Sequence, residues 1–532
     1  MSDLDQRNKT MYEMYVKEYR TLTAIGKKFG LTKEPGTGKT TTLLNKVDEA
    51  LESGIHPNEI AFLSFTRKAA NEAKERAVSR FNLDPKEDLI YFRTLHSLAL
   101  MQTSIRFENI MSEQHYKELS QAVGITLNGT RNTSISDDLP TASSRKDPVL
   151  GLINLARLKK TSLRDEYNIS SIDIPWNTID YINRALVDYK RNMGLYDFTD
   201  MLEMFIQESN KCCPKLKLTF LDEAQDLSAL QWDIAHILDS NSEKMYCAGD
   251  DDQAIYRWAG ADVDHFINLE GGSETLEQSY RIPSSVHVVA ENVAKRIHRR
   301  FPKNYLPRTE SGTVQRINTM DSLDLSTGNW LILSQAGYHL QAVASDLKSN
   351  GYLFNYKGHR SIGEKLSEAV NGWENLRKGK EVSGAVAKKI YSYMSSGKHV
   401  QRGFKKLPAL DEAEFVTLQG LINNHGLLAT KEMIWSEAMD KIPETERAYI
   451  TALLRRGEKF NATPRITAST IHGSKGGEAD NVVLLTDLSP SAESEMHINP
   501  DDMHRVFYVG VTRAKQNLYI VDPEDVGRSY NL

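Results

Sequence analysis

Short apolar runs recur along this chain, and each closes on a polar turn. They are "EIAFLSFTRKAA" (59–70), "KLKLTFLDEAQD" (215–226), "KMYCAGDDDQAIYRW" (244–258), "NWLILSQAG" (329–337), "DNVVLLTDL" (480–488) and "NLYIVD" (517–522). Helically spaced stretches lie between them. This alternation predicts an α/β protein with parallel sheets, whose functional residues sit at the carboxyl ends of the strands. The strand-like runs fall into an early set (59–275) and a late set (312–360 and 465–532), which predicts two α/β units. Residues about 98–194 and about 362–464 break the rhythm. "KLSEAVNGWENLRKGKEV" and "EAEFVTLQGLINN" are examples of their helical pattern, and each region reads as an insertion into one unit.

Length and composition add bounds. At 532 residues the chain exceeds one core, so three or four domains or subdomains are expected. No apolar run is long enough to span a bilayer, and the first residues lack the regions of a secretory signal, so a cytoplasmic protein without membrane contact is expected. Cys212, Cys213 and Cys247 lack zinc-ligand spacing and read as reduced thiols. The net charge of -5 offers nucleic acid no global attraction, so any such site must be a local basic and aromatic surface.

Two stretches carry chemistry. In "PGTGKTTTLL" (35–44), Gly36 and Gly38 allow close backbone approach to phosphate, with Thr37 and Thr41 in the same loop and helix start. Lys39 is placed for the β/γ-phosphates and Thr40 for a magnesium ion, at a helix N-terminus that favours anions. In "LTFLDEAQD", an apolar strand ends in Asp222, placed to hold magnesium, and Glu223, placed to activate water.

"DEAQD" followed by "AGDDDQAIYRWAGAD" (248–262) resembles motifs II and III of superfamily 1 helicases of the UvrD/Rep type. "FLSFTRKAANEAKERA" resembles motif Ia, "RTLHSLAL" the T-x-H-S element, and "GLYDFTDML" (194–202) the signature preceding motif II. "LEQSYRIP" resembles motif IV, "ITASTIHGSKGGEADNVVLL" motif V and "HRVFYVGVTRAKQNLYIV" motif VI. The similarity spans residues 34–532 in order.

It implies two RecA-like parallel-sheet domains, each with a helical insertion. The first would be 34–97 with 195–275, its insertion 98–194; the second 276–361 with 465–532, its insertion 362–464. It also implies hydrolysis of ATP with Mg2+, coupled to 3′ to 5′ movement on single-stranded DNA or a duplex with a single-stranded tail. The motor would be a monomer or weakly self-associating, with replication or repair proteins as partners in a bacterial or phage-infected cell. Gln253 would sit between the γ-phosphate and the DNA, Arg281 and Arg513 would act as arginine fingers, Tyr280 would stack on adenine, and Glu478 would contact the ribose. Phe65, Tyr256 and Trp258 are candidates for base stacking, and Thr66, Thr94, His96, His472 and Lys475 for strand contacts. The alternative for the aromatics is core packing.

The chain departs from the family pattern at several points. Lys33 stands at the first glycine position of the loop, Ala259 where motif III often has arginine, and Gly477 where motif V has leucine. No glutamine nearer than Gln6 precedes the loop, and no apolar strand leads into it. Residues 1–33 are atypical: "YRTLTAIGKKFGLTKE" (19–34) resembles a helix-turn-helix, or else a plain helical hairpin left by rearrangement. The second functional reading is therefore a DNA-binding relative whose nucleotide site is impaired.

Overall fold

The computed structural model describes residues 38–65, 67–127, 147–407 and 410–532. The helix-turn-helix-like stretch, the approach to Pro35, and Gly36, Thr37 and Thr66 lie outside them. The described chain is mixed α/β with parallel sheets and forms two compact units, the first extending to residue 311 with 494–512, the second comprising 312–493 with 513–532.

The described part of the first unit begins with helix α1 (Lys39–Glu52), whose N-cap Gly38 has a left-handed backbone, φ 78°. A parallel four-stranded sheet follows, ordered β2 (Phe92–Thr94), β1 (Ile60–Ser64), β3 (Leu216–Asp222), β4 (Ser242–Cys247). Helix α2 (Arg67–Phe81) connects β1 to β2. Between β2 and β3 the described residues are mainly helical: α3 (Leu95–Gln102), α4 (Glu113–Val123), α5 (Pro148–Lys159), α6 (Leu163–Ile169), α7 (Trp176–Met193) and α8 (Phe198–Cys212). Several of these helices close over their own apolar cluster, which includes Ile153, Ile179, Ile182 and Leu186.

One feature of the sheet fixes its register. Phe92, Phe62, Phe220 and Tyr246 are directly opposite one another on successive strands. Their rings stack across the sheet at centroid separations of 5.5, 6.1 and 5.3 Å. Lys46 and Lys244 approach the face of the last ring. Because strand side chains alternate, the residues following this row on the same face form the next row at the carboxyl edge. They are Thr94, Ser64 and Asp222, again in register and all buried. A one-residue slip would break the aromatic row and turn Asp222 to the opposite face.

Helix α9 (Ala229–Ser240) joins β3 to β4, and beyond β4 the first unit continues through α10 (Val263–Ile267), a two-stranded pair β5 (Gln278–Pro283) and β6 (Leu306–Arg308), and helix α11 (Ser284–Ala294). Helix Pro500–Val511 also packs into this unit, along α11.

The second unit holds a seven-stranded sheet built from β7 (Thr313–Ile317), β8 (Trp330–Ser334), β9 (Phe354–Tyr356), β10 (His359–Arg360), β13 (Ile466–Thr470), β14 (Ala479–Leu485) and β15 (Ala514–Val521). Its order is β10-β9-β13-β8-β14-β15-β7, parallel except at the β9/β10 edge. Helices within 364–456, with the antiparallel pair β11 (Val382–Ser383) and β12 (Phe415–Val416), share one apolar core with this sheet.

The aromatic row makes a stability prediction. Phe220 is fully buried between two stacked neighbours, so Phe220→Ala should destabilise the first unit by about 3–5 kcal/mol. Denaturant unfolding followed by tryptophan fluorescence reads this loss. A change below about 1 kcal/mol would show that the row does not hold the sheet.

Candidate functional site

The carboxyl edge of the four-stranded sheet gathers the chemistry. Thr40, in the first turn of α1, donates from Oγ1 to Asp222 Oδ2 at 2.9 Å. The Glu223 backbone N–H donates to the other oxygen of Asp222 at 3.0 Å. Asp222 ends β3 buried, and burial together with the charge of Glu223 pushes its pKa up to about 6. The Lys39 ammonium acts in the opposite direction on Asp222, and on Asp250 as well, so its charge lies near both. Lys39, Thr40, Asp222 and Glu223, expected to act together, are therefore one cluster.

Glu223 leaves the strand with a left-handed backbone, φ 54°. A non-glycine residue rarely adopts this conformation, and it costs about 1 kcal/mol or more. Beyond the turn, Ala224 and Ala248 keep β3 and β4 joined by backbone hydrogen bonds of 3.0 and 2.7 Å. Gln225, fully buried, donates from Nε2 to Glu223 Oε2 at 2.6 Å and accepts at Oε1 from the Asp250 N–H at 2.9 Å. Gly249 lets the two turns approach: a Cβ there would come within 2.5 Å of Gln225 Oε1 and 2.6 Å of the Phe266 ring.

The turn after β4 carries Gln253, whose Nε2 donates to Asp250 Oδ2 at 2.6 Å. Asp250, Asp251 and Asp252 are all buried. Burial alone would raise the pKa of Asp250, but Lys303 and Lys39 outweigh it and hold the carboxyl well below the usual range. Lys303 bonds all three aspartates, and Arg300 forks onto Asp252 at 2.9 and 2.6 Å. Arg505 donates to the Asp251 carbonyl oxygen at 2.9 Å. Gln225, Lys303, Arg300 and Arg505 were not among the sequence candidates. "DEAQD" and the run of three aspartates were the available signals, since so many adjacent carboxylates require buried cations.

The oxygens of Thr40 and Asp222 fit a magnesium ion: it takes few protein oxygens, keeps waters and shares substrate phosphate oxygens. The raised pKa of Asp222 is what a buried carboxylate shows when a nearby cation would offset its charge.

The remaining candidates fall in several places. Thr41 is half-buried in α1. Tyr280 and Arg281 are half-buried neighbours on β5, so they project to opposite faces. In the second unit, Arg513 is buried and donates from Nη1 to the Gly477 carbonyl at 3.2 Å, while Glu478 pairs with Lys515 at 3.1 Å. His472 and Lys475 flank the same motif V turn, both half-buried. At Gly477 a Cβ would stand 3.0 Å from the Ser474 carbonyl oxygen, a tight approach.

Among the DNA candidates, Phe65 is 5% exposed and stacks on buried Tyr256 at 5.7 Å. Thr94 is buried and caps α3 by accepting from the Ser97 N–H at 3.2 Å. Trp258 is 39% exposed, with its indole N–H donating to the Ile255 carbonyl at 3.0 Å. Arg257, the nearest cation to the position of Ala259, pairs with Asp502 at 3.5 Å and Asp264 at 3.9 Å. Asp197 of "GLYDFTDML" caps α8 and, with Asp200, binds Arg157 and Lys190, joining α5 and α7 to α8.

His96 packs edge-on against Phe198, and burial lowers its pKa to about 4. Its folded pKa lies below the ordinary value, so its contribution to stability is complete above about pH 6.5 and is lost as pH falls towards 4. A neutral imidazole can offer DNA a hydrogen bond but no cation. NMR titration of His96 should find no protonation at pH 6. A midpoint near 6.5 would contradict this environment.

Comparisons with known proteins agree with this geometry. A family model of the UvrD/REP helicase N-terminal domain matches residues 17–272, and one of the UvrD-like helicase C-terminal domain matches 150–524. The chain is 23% identical to the probable DNA helicase II homolog of Rickettsia conorii over 613 aligned residues, covering 93% of this chain and 91% of the relative. It is 26% identical to the ATP-dependent DNA helicase PcrA of Bacillus subtilis over 296 residues, covering 52% of this chain and 39% of that protein. Ordered motifs and matches over most of the chain lead to one conclusion: the chain belongs to the UvrD/Rep-type superfamily 1 helicases and is an enzyme of that class.

Proposed function

We propose that this DNA helicase hydrolyses ATP with magnesium and uses the energy to move 3′ to 5′ along single-stranded DNA, separating strands where it meets duplex. The observation that carries the reading is the grouping of Thr40, Asp222, Glu223 and Gln253 at one sheet edge, with Lys39 beside two of the carboxylates.

Each group has a distinct part. Lys39 binds the β/γ-phosphates and offsets their charge. Thr40 and Asp222 would hold magnesium, which supplies charge neutralisation at the phosphate oxygens when bound. Glu223 accepts the proton of the attacking water, its carboxylate oriented by Gln225. Gln253, steadied by Asp250, is placed to sense the γ-phosphate. Trp258 offers an exposed ring for base stacking, and the Tyr256 ring, itself stacked on Phe65, lies 6.4 Å from it. Roles for Tyr280, Arg281, Glu478 and Arg513 rest on the motif resemblance.

We read the two units as RecA-like, with helices of 98–194 and 362–464 as insertions. No helix among the described residues is long and apolar enough to cross a membrane.

The test is steady-state ATPase rate with and without single-stranded DNA. DNA should stimulate the wild-type rate, Lys39→Ala should lose about 100-fold or more, and Glu223→Gln should lose about 100- to 10,000-fold while still binding nucleotide. Absent turnover in wild type, with DNA binding retained, would replace this reading with that of a DNA-binding relative acting by occupancy.

A further inference from the structure

Lys303 lies between α11 and β6, in a stretch, "RRFPKNYLP", that reads in the sequence as an ordinary basic surface segment. In the structure its side chain is only 5% exposed. Its ammonium sits 3.0 Å from Asp250 Oδ1 and 3.2 Å from Asp252 Oδ2, and it also bonds Asp251. The Phe301 N–H donates to Asp251 at 2.7 Å, so backbone and side chains of this segment grip the same turn.

Asp250 is the node. One of its oxygens meets Lys303, and the other accepts from Gln253. Its backbone N–H donates to Gln225, whose amide in turn donates to Glu223. Moving Asp250 therefore moves the partner of Gln253 and the partner of Glu223 together. Gln225 has no slack to absorb such a shift, being fully buried and closed in by Gly249.

We propose that Lys303 and Gln225 are positioning residues for hydrolysis: Lys303 anchors Asp250 and thereby Gln253, and Gln225 passes that placement to Glu223. The inference rests on the ATP-hydrolysing reading of the site. Neither residue touches the nucleotide in this scheme; both act on where the reacting groups stand.

The test is DNA-stimulated ATPase of the full chain carrying Gln225→Met, Lys303→Arg and both. Methionine keeps the volume of Gln225 but removes its hydrogen bonds, and arginine keeps the charge of Lys303 but not its point-like fit among three carboxylates. Each variant should lower kcat by about 10-fold or more, with KM for ATP and affinity for single-stranded DNA within about three-fold of wild type. The double variant should lose clearly less than the product of the single losses, because both act through Asp250. An unchanged kcat in a folded single variant, or losses that multiply, overturns the proposal. Should Lys303→Arg not fold, Gln225→Met with Gln253→Ala reads the same node, again with a loss short of the product expected and a full product overturning it. Lys39→Ala run alongside separates the two ideas: turnover that survives in Lys39→Ala defeats the hydrolytic reading, whereas turnover lost there but intact in the Gln225 and Lys303 variants defeats only this inference.

Discussion

Burying carboxylates is the constraint on which the first unit is organised. Asp222, Asp226, Asp250, Asp251 and Asp252 are all buried around the turns that follow β3 and β4. An isolated buried carboxylate costs several kcal/mol unless a cation or hydrogen bonds offset it. For Asp250 the offset is internal: Lys303 and Lys39 outweigh its burial and Gln253 donates to it, whereas burial still raises Asp252 despite Lys303 and Arg300. For Asp222 it is incomplete. Its partners are Thr40, the Glu223 N–H and the nearby Lys39, and its pKa remains raised by burial and by Glu223. Asp250 is thus offset by protein groups, while Asp222 is left with charge that a ligand can neutralise.

The sheet makes that asymmetry a matter of register. The stacked row Phe92, Phe62, Phe220 and Tyr246 sets which residues stand side by side at the carboxyl edge. Strand β3 then brings Asp222 to the end of the row, and the left-handed turn at Glu223 redirects the chain so that the adjacent carboxylate follows a different course. Core packing and site chemistry are therefore coupled through the same few residues.

Much of this was legible in the sequence because apolar runs ending in polar turns have few alternatives. The runs containing "LTFLDEAQD" and "KMYCAGDDDQ" became neighbouring strands β3 and β4, and Thr40 meets Asp222 as their motifs imply. The placement of Phe65, Tyr256, Thr94 and His96 was less legible. A motif gives the identity of a side chain but not whether its neighbours cover it, and these four are buried whereas Trp258 is not. Lys303 and Gln225 left the weakest trace. A single lysine in a basic stretch resembles a solvated charge, and only the fold brings it to the three aspartates. The front end, residues 1–37, contributes sequence features alone.

Asp222 is held at a cost that magnesium and nucleotide relieve. Its folded pKa lies above the ordinary carboxylate value, so the contribution of Asp222 to stability should fall as pH rises from about 4 to about 6, a loss that Asp222→Asn escapes. The measurement is melting temperature against pH, with and without magnesium and a non-hydrolysable ATP analogue. The variant should melt above wild type at pH 7.5 without ligand, and ligand should raise the wild type while moving the variant far less. A variant that melts below wild type and keeps the full ligand shift would contradict this.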